Sequence, residues 1–138
     1  MKTLFAIATL VLLQLPDASV AQTAARSYEI SGGAWRVPAS TVVELRRRIQ
    51  EAADGAVAAS ATKEKRSVLN DTIQYQGVID EKLKRKVVEV WGMCETDWSP
   101  EMLRRNIAVG RDGGNCYYFA VYDPSAKKFL GFLFNGAA

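Results

Sequence analysis

The apolar positions of this chain change period along its length. From Leu4 to Leu15 they form an almost unbroken run. Val42, Leu45, Ile49, Ala52, Ala53 and Ala56 then recur at three- and four-residue spacing, which places them along one side of a helix. From Asn70 to Ile79 the period falls to two. Ile73, Tyr75 and Ile79 fall on one side of a strand, and Thr72, Gln74 and Gln76 on the other. Lys86 to Cys94 reads as a second strand, with Val88, Val90 and Cys94 opposite Val87, Glu89, Trp91 and Met93. The charged stretch Asp80 to Arg85 turns one strand into the other. Cys116 to Tyr122 and Lys128 to Phe134 predict a second hairpin around Asp123-Pro124-Ser125-Ala126-Lys127.

Local signals set the boundaries. Thr41 and Glu44 have the spacing of a capping box at the start of the long helix, with Pro38 as an alternative first turn. Gly55 weakens that helix, which is expected to end near Ala59 to Ala61. Lys63-Glu64-Lys65-Arg66 follows as an exposed connection. Ser99-Pro100-Glu101 joins a hydroxyl cap, a proline suited to the first turn and an acid near the positive end of the dipole. It predicts a short helix running to about Asn106. Gln22 to Ser31 is polar, a frayed segment or an edge strand, and Ser31-Gly32-Gly33 is a flexible joint. The expected fold is α+β: one long helix on a curled antiparallel sheet of about four strands.

The opening run has the marks of an export leader. Met1-Lys2 is positive, Pro16-Asp17 breaks the apolar stretch, and Ser19-Val20-Ala21 offers small residues to a signal peptidase. About 20 apolar residues are needed to span a bilayer, more than this run holds. The expectation is a leader over residues 1–22, a mature chain starting near Gln22, and a single domain over 23–138 in the periplasm or medium. No membrane span remains after cleavage on this reading.

Charge and rare residues narrow the chemistry. Without the leader the chain carries 17 basic and 14 acidic residues, an excess too small to argue for nucleic acid. The clusters Arg46-Arg47-Arg48 and Lys82, Lys84, Arg85, Lys86 read as solvated faces, or as docking sites for an acidic partner. Histidine is absent, which excludes Ser-His-Asp and Cys-His catalysis and histidine zinc sites. Two cysteines in an exported chain, Cys94 and Cys116, favour one disulfide between them. That bridge would tie the end of the second strand to the start of the third. No cofactor or metal is implied.

Two resemblances add to this. Asp112-Gly113-Gly114-Asn115-Cys116-Tyr117-Tyr118-Phe119, followed by Asn135-Gly136-Ala137, resembles the ends of small exported bacterial proteins that finish in such a hairpin. It implies bacterial export and a disulfide hairpin, and no activity. The order of elements is similar to the cystatin-like class of folds, in which a long helix precedes a curled antiparallel sheet. Inhibitors of that class present a glycine-bearing N-terminal arm and a tryptophan loop as a wedge, and Gly32-Gly33-Trp35 and Trp98 are similar to these. Their central Q-x-V-x-G loop has no good match, since Gln74-Tyr75-Gln76-Gly77 lies in a predicted strand and lacks the valine.

The candidate site residues are aromatic. Trp35 and Trp98 fall in predicted loops, where tryptophan has a claim on binding; Trp91 shares a face with Met93 and reads as sheet packing. Tyr117, Phe119, Phe132 and Phe134 exceed what one helix can cover, so a bare sheet face would be a binding surface. Asp112 joins Trp35, Trp98, Tyr117 and Phe119 as a binding candidate. Glu95 and Asp97 would lie near Asp112 across the bridge; paired acids can hydrolyse glycosides, but loop acids are ordinarily solvated, and no enzyme is expected. The expectation is a binding module for an exported protein or peptide, an inhibitor of an extracellular hydrolase being a special case. The competing expectation is a small-ligand or vestigial-enzyme domain with a pocket between helix and sheet. An exposed edge would also allow a homodimer.

Overall fold

The computed structural model describes residues 26–59, 65–110 and 114–135. The leader, Asp112 and the closing Gly136-Ala137 lie outside them. The elements are β1 (Ser27–Glu29), α1 (Ala39–Ala59), β2 (Thr72–Asp80), β3 (Arg85–Met93), α2 (Pro100–Arg105), a 3-10 turn (Gly114–Cys116), β4 (Tyr117–Asp123) and β5 (Lys128–Phe134).

The sheet runs in the order β1-β2-β3-β4-β5. Strands β2 to β5 form the expected antiparallel meander. β1 adds to it in parallel, with Ser27 beside Ile73 and Glu29 beside Tyr75. The sheet therefore has five strands and is mixed, where about four antiparallel strands were expected. Three residues show no period of their own. β1 can lie parallel to β2 because α1 carries the chain back across the sheet between them.

α1 starts two residues before the expected cap. The Pro38 carbonyl accepts from the amides of Thr41 and Val42, at 3.0 and 3.2 Å. Glu44 takes no part in a capping box and instead accepts from Arg48 Nε at 2.7 Å, one turn on. The face turned to the sheet carries Val42, Leu45, Ile49, Ala53 and Val57. Ile73, Val88, Val90, Tyr118, Ala120, Tyr122 and Phe134 meet it from the strands. Burying each of Leu45, Ile49 and Ile73 completely stabilises the fold by about 1.5–3 kcal/mol. Gly92 makes room for the Tyr118 ring on this face. A Cβ there would lie 1.8 Å from the ring, so only glycine fits opposite that tyrosine.

Arg46 departs from the solvated face expected for it. It is buried on the sheet side of α1. Its guanidinium donates to Ser27 Oγ, the Asp71 carbonyl and the Arg26 carbonyl, at 3.1, 2.7 and 2.9 Å. One side chain thus ties β1 and the turn before β2 to the helix. Arg66 does the same at the other end of that turn. It bonds the carbonyls of Asn115 and Cys116 and pairs with Asp71, 2.7 Å from Oδ2. Neither role shows in a sequence, because most of the partners are backbone carbonyls far along the chain.

The opposite face of the sheet holds a second, smaller cluster. Met93, Leu103 and Ala108 are buried there, with Tyr28, Trp98 and Tyr117 against them. The polar side of β2 is accordingly not all solvent-facing. Gln74 is fully buried. Its amide nitrogen donates to the carbonyls of Leu103 and Asn106, both at 2.5 Å, and its oxygen accepts from the Ala108 amide at 2.7 Å. This glutamine clamps α2 and the segment after it onto the sheet.

Candidate functional site

Alternation along the strands, shifted once in the β4–β5 register at Val121-Tyr122, divides their side chains between the two faces. The residues that do not face α1 form rows across the sheet. In one row Gln74 pairs with Trp91, Trp91 with Phe119, and Phe119 with Leu133. In the next, Gln76 pairs with Glu89, Glu89 with Val121, and Val121 with Gly131. The row beyond Trp91 is Thr72, Met93 and Tyr117, and α2 with the segment 106–110 covers it.

The covering segment is tied down at several points. Cys94 and Cys116 are disulfide-bonded with their Cα atoms 5.0 Å apart. The bridge joins the end of β3 to the start of β4, as the sequence implied. Ser99 caps α2 by accepting from the Met102 amide at 3.3 Å. Gln74 holds the middle of the segment, and Asn135 Nδ2 donates to the Gly110 carbonyl. Gly110 also lies against the Tyr117 ring, 2.3 Å from where a Cβ would stand.

At β2 the cover reaches Gln74 in the Trp91 row, but across β3 to β5 it stops at Met93 and Tyr117. Beyond it Trp91 and Phe119 touch, ring centroids 5.5 Å apart and planes inclined by 48°. Phe119 is exposed, and Leu133 beside it is 59% exposed. Ile107 and Val109, on the covering segment, are also exposed. The outcome is an apolar strip on the outer face. Within it stands one carboxylate, Glu89, whose pKa is pushed above the usual range by burial.

The structure distributes the sequence candidates rather than gathering them. Trp35 is half-buried on the α1 side, its ring over Gly77 and its indole N–H shared between the Val78 and Val87 carbonyls at 3.1 and 3.2 Å. Trp98 packs into the small cluster on the other face. The two tryptophans therefore do not form one wedge. Gln74-Tyr75-Gln76-Gly77 lies within β2, away from any hairpin tip. Tyr117 supports the covering segment, and Phe119 stands on the open strip. Phe132 and Phe134 are on the α1 side, stacked on and edge-on to Tyr118. Asp112 lies outside the described residues; Glu95 and Asp97 are exposed.

Other chemistry is sparse among the described residues. No three Asp, Glu, His or Cys side chains come together there as a metal site. The Tyr118 hydroxyl is buried without a hydrogen-bond partner among the described residues, and burial, with Asp71 adding to it, raises its pKa. The arginines nearest it, Arg46 and Arg66, are engaged by backbone carbonyls. Between α1 and the sheet the core side chains pack together as one cluster. Among the described residues one hollow of about 340 Å³ lies beside Gln50, Asp54 and Arg66 and one of about 260 Å³ beside Glu29, Gly33 and Arg36.

Sequence reasoning missed Trp91 and Glu89 as site residues. The signal was present, since both lie on the Met93 face of the second strand. What it lacked was the point where α2 stops covering that face. Compared with known proteins, the chain matches no family model, no curated protein and no solved structure.

Proposed function

We propose that this is an exported, non-enzymatic binding module that recognises a protein or peptide through the outer face of its sheet. The observation that carries the reading is the strip of half-buried Trp91 with exposed Phe119 and Leu133, held on paired strands next to a segment locked down by a disulfide and by Gln74. Exposed contiguous apolar surface of this kind marks interaction sites, and a rigid backing lowers the entropy cost of docking. Export is supported by the leader-like first 22 residues, by the disulfide, and by the absence of a membrane-crossing helix among the described residues. The helix-on-sheet order supports a likeness to the cystatin-like class, and the hairpin a kinship with small exported bacterial proteins.

The test is affinity capture from periplasmic and extracellular fractions, with Leu133→Asp and Phe119→Ser as face variants. Both positions are exposed, so both variants should fold. Capture of a discrete partner by the wild type, lost in both variants, is the expected result. Capture that both variants retain would move the binding surface elsewhere. N-terminal sequencing of the native protein should find a start near Gln22, and an intact Met1 would overturn export.

A further inference from the structure

The open strip combines two unfilled halves of a recognition site. The first half is anionic. Among the described acids that are buried or half-buried, all but one accept a bond. Glu29 accepts from the Val37 amide, Glu44 from Arg48, Asp54 from Gln50, and Asp80 from the Lys82 and Leu83 amides. Asp71 pairs with Arg66 and Asp123 with Arg85. Glu89 is the exception: half-buried, flanked by Gln76 and Val121, with no hydrogen bond or ion pair to a described residue. Burial makes its charged form costly, and a cation placed beside it would relieve that cost.

The second half is aromatic. Four rings elsewhere are already served by cations of the chain itself. Lys86 lies 5.4 Å from the Trp35 ring, Arg104 5.3 Å from Tyr28, and Arg66 5.6 Å from Phe134 and 6.0 Å from Tyr118. Trp91 and Phe119 have no such cation among the described residues, although they touch each other and face outward. Trp91 is two residues from Glu89 along β3 on the same face, a separation of about 7 Å. That is the span of one guanidinium or ammonium held between a carboxylate and a ring.

We propose that the outer face takes an arginine or lysine side chain presented by a segment of another protein. Glu89 is its counter-charge, and Trp91 with Phe119 forms its aromatic wall. This rests on the reading of the outer face as a protein-binding surface and names what that surface selects. A peptide fits better than a free cation because Val121 and Leu133 flank the site and offer apolar contact to neighbouring side chains. The chain's net charge of +3 opposes non-specific cation binding, so the match must be local.

The test uses the purified native chain and nine-residue peptides of alternating apolar and polar residues, with arginine, lysine, glutamine, norleucine or glutamate at the centre. Binding is read from the Trp91 indole N–H signal in a heteronuclear spectrum. Arginine and lysine peptides should bind at least about tenfold tighter than the glutamine peptide, an advantage that salt reduces. Glu89→Gln, close to isosteric and at a half-exposed position, should abolish that advantage while leaving the spectrum folded. Phe119→Leu keeps the apolar contact, removes the ring and should weaken the arginine preference. Equal binding of all centres, or a preference unchanged in Glu89→Gln, overturns the cation site and leaves the apolar surface standing. If no peptide moves the Trp91 signal while Leu133→Asp still abolishes partner capture, the cation site fails and the binding surface survives. A concentration-dependent dimer that buries Trp91 overturns the proposal in favour of a second copy of the chain.

Discussion

Replacing Gln74 by leucine should loosen the cover of the outer face. The side chain is fully buried, and its three hydrogen bonds go to backbone groups of Leu103, Asn106 and Ala108. Leucine has nearly the same volume and meets none of them. Each buried backbone group left without a partner costs about 1–3 kcal/mol, so the three together set an upper range of roughly 3–9 kcal/mol. The added apolar burial returns about 1–2 kcal/mol. The covering segment can also swing away and rehydrate its groups, which caps the loss at what holds it down. Without Gln74 that hold is the burial of Leu103 and Ala108, the Trp98 contact, the bridge and the Asn135 bond to Gly110. A net loss of about 2–4 kcal/mol is therefore expected, lowering Tm by about 10–20 °C. Hydrogen exchange separates the two parts of the effect. The Ala108 amide should exchange about 30- to 1000-fold faster, while amides in the centre of β3 change only with global stability. An Ala108 amide that stays protected, with Tm moved by less than about 2 °C, would refute the clamp.

Removing the bridge by Cys94→Ser should cost about 3 kcal/mol, as expected for cysteines 22 residues apart, and is read by thermal melting of oxidised and reduced protein. Gly92→Ala should destabilise by more than about 3 kcal/mol because its Cβ would overlap the Tyr118 ring, whereas Tyr118→Phe should be neutral or slightly stabilising, since the lost hydroxyl has no partner among the described residues. Denaturant melts of the two variants test that contrast. Glu89 has a folded-state pKa above its unfolded value, so its contribution favours the fold at low pH. That contribution is lost as pH rises through the window just above the ordinary carboxylate value. Glu89→Gln should therefore gain stability over the wild type as pH rises through that window and match it below, and urea melts across the window that run parallel at a constant offset would contradict the assignment.

The residues show where sequence reading stops. Val42, Leu45, Ile49 and Ala53 are legible as one helix face because a 3.6-residue period repeats over several turns. The alternation Ile73, Tyr75 against Gln74, Gln76 is equally legible, and the strand placements follow from it. Arg46 reads as solvent-facing by type, yet it is buried by carbonyls of residues 26 and 71. Gln74 reads as the wet side of a strand, yet it is covered by a segment some 30 residues later. The candidate site was half visible: Phe119 and the idea of a bare face were in the pattern, while Glu89 and Trp91 were not set apart from their neighbours.

The sequence by itself determined the α+β class, the long helix, the two hairpins and the cysteine pair, because periodicity, turn residues and a count of two are local properties of the chain. The tertiary structure decided that β1 adds in parallel, that Arg46 and Gln74 are interior residues, and that α2 covers the Met93 row and stops short of Trp91. Each of these depends on which distant backbone groups and side chains meet across the sheet. No period within one segment encodes that, because the groups satisfied by Arg46 and Gln74 belong to other elements.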